Sequence, residues 1–326
     1  MYKPPFTISN YMLQKVMSIT EKVSQISIYN AIERMPILRR NNRILSVHSS
    51  LAIEANSFSL NQVRDVINGK QVLGPLKEIQ EVKNAYQVYE LIDSFDGYNQ
   101  KDLLRAHKIL TTNLIDESGQ YRNHGEGVFD GEKLIFMAPS HDLIPKLMND
   151  LFDWLKNDDE TPVLIKSCVF HYEFVFIHPF SDGNGRTARL WQNVILSKWN
   201  KLFEYMPIES QIKKYQDEYY QAIAKCHSNG DSNIFIEFML RMIDETLLIV
   251  LSTSQKESRN ISEQVNKLLD VMDYDIPLSS NEIMKRLGIK SKETLRGSYL
   301  NPAIKNGLVK MTIPDKPNSK NQKYYR

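Results

Sequence analysis

The chain has 326 residues, 42% of them hydrophobic, enough for about two domains with buried cores. Its net charge of +2 excludes neither protein nor nucleic-acid partners, but it is unevenly spread: residues 279–326 hold 11 Lys/Arg against 3 Asp/Glu, leaving the first 278 residues at −6. Cys168 and Cys226 lack metal-ligand spacing, no basic leader opens the chain and no apolar run approaches ~18 residues, so a cytoplasmic protein with reduced cysteines and no membrane contact is expected.

No internal repeat is evident, and helical periodicity dominates to about residue 252. Ser59-x-x-Gln62 predicts a capping box opening a helix through Val66, which ends before Asn68-Gly69. Segments 82–91, 100–110 and 143–155 repeat apolar residues at i, i+3, i+4 and i+7, the pattern of a helix with one buried face. Segment 164–176 carries the pattern with little polar face and predicts a central buried helix. Between 127 and 139, Val128-Phe129, the turn Asp130-Gly131 and Leu134-Ile135-Phe136 predict a short hairpin.

Residues 252–262 are polar and unpatterned and read as a linker. Past them, 262–272 predicts a helix, and Ser279-x-x-Glu282 caps another to Leu287. Gly288-Ile289 turns into a third, 291 to about 306, which Pro302 is expected to kink or end early. Residues 307–313 and 322–325 predict two strands around a loop. Helix, helix-turn-helix and hairpin in that order resemble a winged-helix domain. Lys285, Arg286, Lys290, Lys292, Arg296 and Lys305 surround its third helix, and Lys316, Lys320, Lys323 and Arg326 line the wing. That distribution suits the phosphates of duplex DNA, and it also suits a docking module or a solvated face.

The most informative run is His178-Pro-Phe-Ser-Asp182-Gly183-Asn184-Gly185-Arg186-Thr-Ala-Arg189, between the buried helix and the start of the next. Backbone N–H groups of Gly183, Asn184 and Gly185 at a helix N-terminus predict a nest for phosphate oxygens, helped by the helix dipole. Asp182 is a hard oxygen ligand suited to Mg²⁺ between two phosphates. Arg186 and Arg189, three apart, share a helix face and can fork onto further phosphates. His178 can act as a general base near neutral pH. Phe180 is expected to plug the core.

This run is similar to the signature of Fic-domain proteins, and the resemblance covers roughly residues 44–248. It implies a mainly α, Fic-type helical bundle with a small hairpin flap, followed here by the winged helix-turn-helix domain. The implied reaction is transfer of AMP from ATP, with Mg²⁺, to a Ser, Thr or Tyr hydroxyl of a protein. His178 would deprotonate the target, Asp182 hold the metal, Gly183 to Gly185 bind the α- and β-phosphates, and Arg186 and Arg189 the outer ones. The hairpin at Glu132, Lys133, Leu134, Ile135 and Phe136 matches the flap that pairs with an extended target segment. Tyr219 and Tyr220 correspond to a tyrosine pair beside the nucleotide. Ser50-Leu-Ala-Ile-Glu54 resembles the family's inhibitory motif, in which Glu54 would salt-bridge Arg189 and keep ATP in an unproductive pose. Ala55 departs from the Gly or Asn usual there. In some relatives this glutamate also supports removal of AMP, so the reverse reaction is part of the expectation.

The expected domains are 1–98 with the inhibitory motif, 99–251 as catalytic core, 252–262 as linker and 263–326 as winged helix. His171, Glu173, Arg122, His124, Trp154 and Trp191 read as packing or turn residues. The expected partners are a protein substrate, the chain itself as substrate, DNA through the basic tail, and a second copy in a homodimer. The rival reading is a DNA-binding regulator whose Fic-like body senses nucleotide with little turnover.

Overall fold

A computed structural model describes residues 2–28, 36–130, 133–260, 262–272, 276–317 and 319–325. The fold is mainly helical with two small sheets. In chain order the elements are α1 (Asn10–Ile28), α2 (Pro36–Ile53), α3 (Leu60–Ile67), α4 (Leu76–Glu90), α5 (Gln100–Thr111), β1 (Gly127–Asp130), β2 (Lys133–Met137), α6 (Ile144–Asn157), α7 (Val163–Ile177), α8 (Asn184–Trp199), α9 (Ile208–Lys214), α10 (Gln216–Asn229) and α11 (Asn233–Asn260). Then follow α12 (Glu263–Asp270), β3 (Leu278–Ser279), α13 (Ser280–Leu287), α14 (Lys292–Thr294), α15 (Asn301–Lys305), β4 (Lys310–Met311) and β5 (Lys323–Tyr325).

The chain divides into two compact units, Met1–Val23 with Asn42–Leu248, and Ser24–Asn41 with Ile249–Arg326. This division does not coincide with the boundaries expected at 98 and 262. Segment 42–98 packs in the same unit as the signature loop, and α11 runs unbroken to Asn260 through the expected linker. Segment 252–260 is polar but contains neither Gly nor Pro, so nothing in its backbone stops the helix.

The first unit is built around α7 and α8. Twelve residues of α7 are buried, among them Leu164, Ile165, Phe170 and Phe174, which explains its lack of a polar face. α8 is nearly as enclosed, with Leu190, Trp191, Val194 and Ile195 at 0% exposure. The capping box at Ser59 and Gln62 forms as expected and opens α3. The two cysteines are free and buried.

In the second unit Val265, Leu268, Ile283, Leu295, Leu300, Leu308 and Tyr324 share one apolar cluster. Its sheet has the order β3-β5-β4, all antiparallel. Ser279 caps α13 with a full capping box through Glu282. Pro302 does not end the third helix early: it sits in the first turn of α15, and the preceding residues, Leu295–Leu300, widen into a π-helical turn. A proline lacks the N–H that would bond one turn back, and a π turn accommodates the displaced ladder without breaking the helix. Among the described residues no helix is long and apolar enough to cross a membrane.

Candidate active site

α7 stops at Ile177 and His178 forms its C-cap with φ 51° and ψ 58°. A Cβ crowds the backbone in this left-handed conformation, at a cost of ~1–2 kcal/mol, so the position normally falls to glycine. The bend turns the imidazole off the helix. Nδ1 lies 3.3 Å from the Val175 carbonyl. A carbonyl can only accept, so Nδ1 carries the hydrogen in the neutral ring and the lone pair stays on Nε2. Burial pushes the His178 pKa below the usual imidazole value; the Val175 carbonyl, Glu126 and Glu54 oppose this, and Arg122 adds to it.

The loop after His178 rests on a residue that periodicity hid. His107 on α5 is fully buried and stacks on Phe180, ring centres 3.5 Å apart and planes 6° from parallel. Gly119 N–H donates to its Nδ1 at 3.0 Å, so Nε2 carries the hydrogen and donates to the Asp182 carbonyl at 2.9 Å. Burial lowers the His107 pKa to about 4, keeping the ring neutral. In the sequence it looked like one more position on the buried face of Leu103, Ala106 and Leu110. Asn184 ties the loop from the other side, donating from Nδ2 to the Phe180 carbonyl (2.7 Å) and accepting the Phe180 N–H on Oδ1 (2.9 Å).

α8 begins at Asn184, with Gly183 as its N-cap at φ 81°. First-turn N–H groups have no partner within a helix, and the dipole adds partial positive charge there. One expected member of the nest is engaged: Gly183 N–H donates to Asp182 Oδ1 at 2.6 Å. Gly185 is needed for a different reason. A Cβ there would lie 2.4 Å from Glu54 Oε1 and 3.1 Å from Arg189 Nη1, so only glycine lets that carboxylate lie over the helix start.

Glu54 follows the last residue of α2. Arg189 Nη2 donates to its Oε1 at 2.7 Å and to the Ser50 carbonyl at 3.0 Å, and Arg189 Nε donates to Ser50 Oγ at 3.1 Å. The Arg189 side chain is 1% exposed and that of Glu54 is 38% exposed. Burial opposes the guanidinium charge, but Glu54, with Tyr219 and Tyr89, holds its pKa above the ordinary arginine value. Arg186 has separate partners, Asp182 Oδ1 at 2.9 Å and Glu81 Oε1 at 3.4 Å. The two arginines expected to face phosphates together are therefore each engaged by different acids.

The tyrosine pair splits. Tyr219 is 1% exposed and its hydroxyl lies 3.0 Å from His171 Nε2, whose other nitrogen meets Gln192 Oε1 at 2.7 Å. Burial lowers the His171 pKa to about 3, consistent with a packing residue. Tyr220 is exposed, and its hydroxyl reaches the Ile53 carbonyl at 3.4 Å. Lys213 Nζ takes the Ala52 carbonyl (2.9 Å) and Gln216 Nε2 the Ile53 carbonyl (3.1 Å), so α9 and α10 hold the C-terminal end of α2 just before Glu54.

The hairpin forms where expected, β1 antiparallel to β2, with the register shifting between Val128 and Phe129. Lys133, Leu134, Ile135 and Phe136 belong to β2; Glu132 lies outside the described residues. Phe136 packs on Phe176 (5.3 Å) and stacks on His227 (4.1 Å). A two-stranded hairpin leaves edge N–H and C=O groups for an added strand. Arg122 and His124 both occur in the approach to this hairpin, and Arg122 is 2% exposed.

Asp182 is half-buried. Burial alone would raise its pKa, but the Arg186 charge and hydrogen bond and the Gly183 N–H together hold it below the usual carboxylate range. An ionised carboxylate beside free helix N–H groups fits Mg²⁺, which binds through one or two carboxylates plus phosphate oxygens and needs no protein cage. Among the described residues no group of three or more His, Cys, Asp or Glu could hold a metal by itself.

Comparison with known proteins matches the Fic/DOC family model over residues 97–196, and a model described as Filamentation induced by cAMP protein Fic-like, C-terminal domain, over 263–326. The crystal structure of a Fic family protein from Desulfovibrio desulfuricans G20 is 43% identical, covers 99% of this chain and 98% of its own, and has a TM-score of 0.76. Protein adenylyltransferase fic-1 of Caenorhabditis elegans is 27% identical over 78% of this chain and 49% of its own length. Protein adenylyltransferase Fic of Nematostella vectensis is 30% identical over 64% and 48% respectively. The chain spans about half the length of these curated relatives.

Proposed function

The chain belongs to the Fic family, and we propose that it is a self-inhibited protein adenylyltransferase moving AMP from ATP to a Ser, Thr or Tyr hydroxyl of a protein, itself included. The observation that carries the reading is the His178 ring, whose Nδ1 is committed to Val175 and whose Nε2 is left to accept a proton. In the proposed step Nε2 takes the hydroxyl proton as the target oxygen bonds to the α-phosphorus. The bond from that phosphorus to the bridging oxygen breaks, and pyrophosphate leaves with the electron pair. The first-turn N–H groups of α8 bind phosphate oxygens. Asp182 would hold Mg²⁺, which supplies charge neutralisation for the triphosphate. The target hydroxyl arrives on an extended segment added to the edge of the β1–β2 hairpin.

Self-inhibition is supported by the occupied arginine. While Arg189 is bonded to Glu54 and Ser50 it is unavailable to the outer phosphates, so bound ATP lacks the contact that aligns its α-phosphorus. Hydrolytic removal of AMP, in which a water positioned at Glu54 attacks the phosphorus and the protein hydroxyl leaves, is a second proposed activity of the same site. Incubating the Glu54→Gly protein with mixed nucleotides and weighing it by mass spectrometry tests the reading. An added AMP that disappears in Glu54→Gly/His178→Ala supports it; no added mass, or equal addition without His178, would sink it.

The second unit reads as a winged-helix domain, supported by its helix order and its β3-β5-β4 sheet. Lys285, Lys290, Lys292, Arg296 and Lys305 are all exposed on it. This favours duplex DNA as a further partner, to be checked by the salt dependence of binding. A second copy of the chain is the competing partner, visible as a concentration-dependent mass.

A further inference from the structure

The turn before the hairpin contains a buried cation, Arg122, that makes no ion pair with an acid among the described residues. Arg122 uses three guanidinium nitrogens on three backbone carbonyls: Nε to His178 at 2.8 Å, Nη1 to His124 at 2.6 Å and Nη2 to Pro139 at 2.7 Å. Its backbone N–H donates to the Pro179 carbonyl at 3.0 Å. His124 and Pro139 flank the hairpin on either side, and its base is closed by Ala138 N–H donating to the Glu126 carbonyl at 3.1 Å. His178 and Pro179 are where α7 ends in a strained left-handed turn, leaving carbonyls without helical partners. One planar fork therefore joins both feet of the hairpin to the backbone that carries the general base. A lysine, with a single nitrogen, cannot span three carbonyls in this way.

We propose that Arg122 is a positioning residue that sets the distance between a target strand on the hairpin and His178 Nε2, so that docking and proton abstraction share one rigid reference. The idea rests on the reading of His178 as base. Positioning should appear in turnover more than in nucleotide binding, because none of the three contacts involves the α8 N-terminus. Arg122 is also one of the charged groups facing His178, with Glu126 and Glu54, and its positive charge disfavours the imidazolium.

The test uses the full chain with Glu54→Gly, measuring initial rates of self-labelling by radiolabelled ATP across pH. If Glu54→Gly itself incorporates no label, the proposed function has failed and the fault does not lie with Arg122. Given labelling, adding Arg122→Met should lower the maximal rate about 10²-fold with KM for ATP within twofold. The acidic limb of the pH profile should also move upward, since a lost positive charge eases protonation of His178. Arg122→Lys should lower the rate while leaving that limb in place, and it carries the test alone if the methionine variant does not fold. A full rate in Arg122→Lys, or a loss matched by an equal rise in KM for ATP, would overturn the proposal.

Discussion

Glu54 Oε1 lies 2.7 Å from Arg189 Nη2, joining the end of α2 to the second turn of α8 across 135 positions of sequence. The pair is asymmetric: the arginine side chain is 1% exposed and the glutamate 38%. A buried cation needs its partner more than a half-exposed anion does. Under the proposed function, a phosphate competing for the same guanidinium would therefore displace the glutamate, which can turn towards solvent.

Replacing Glu54 by Gly should raise self-labelling by ATP and lower the thermal stability of the free protein. Arg189 would keep its bonds to Ser50, so the loss is modest, about 1 kcal/mol. ATP with Mg²⁺ should then raise the melting temperature more in the variant than in the parent. Equal shifts in both proteins would mean that the glutamate does not compete with nucleotide.

Ala55 has φ 64°, the left-handed conformation that glycine adopts without cost. The departure from Gly or Asn noted in the sequence is thus a local strain beside the proposed inhibitory contact and leaves the Glu54–Arg189 bond intact. Ala55→Gly should stabilise the protein by about 0.5–1 kcal/mol and reduce basal labelling. A urea midpoint at or below that of the parent would contradict this.

As the proposed base, His178 would work as the neutral ring, and its folded pKa lies below the ordinary 6.5 because of burial. Activity in the Glu54→Gly protein should therefore be flat through neutral pH and fall only as pH drops below that ordinary value. A half-maximal rate above pH 6.5 would show the ring held as imidazolium instead.

Glu173 on α7 is 5% exposed and accepts a hydrogen bond from the Tyr2 hydroxyl at 2.8 Å. Burial raises its pKa from 4.5 to about 7, with the Tyr2 bond opposing. A carboxyl with a raised folded pKa contributes stability fully below its unfolded pKa and loses it as pH rises to the folded one, here from about 4.5 to about 7. Glu173→Gln should flatten this slope and be the more stable protein at pH 8, by at most about 3 kcal/mol. Parallel stability curves for the two proteins between pH 4.5 and 7 would disprove it.

Much of this site could be read along the chain because its parts are contiguous. His178 to Arg189 lie within one helix end, one turn and one helix start, so spacing alone predicts the loop and the N-terminus of α8 with Asp182 beside it. Both capping boxes join residues three apart, and the hairpin folds back at Asp130 and Lys133, also three apart, so these too were legible. That segment 252–260 is helical was not legible, because its polar residues carry no apolar periodicity to mark a buried face. Pro302 does not stop the helix, and the widened turn before it was not legible because one residue does not reveal how the preceding turn accommodates it.

What the sequence by itself determined is the chemistry on offer: an imidazole, an acid, a glycine-opened helix and two arginines in fixed order. Only the tertiary structure decided how those groups are engaged. It placed Glu81 on Arg186, sank Tyr219 into the core beside His171, set His107 under Phe180 and let Arg122 gather three carbonyls. The physical reason is that local spacing specifies hydrogen bonds between near neighbours. A buried polar group is satisfied by whatever packing brings within about 3 Å, and for these residues that is chain from far away.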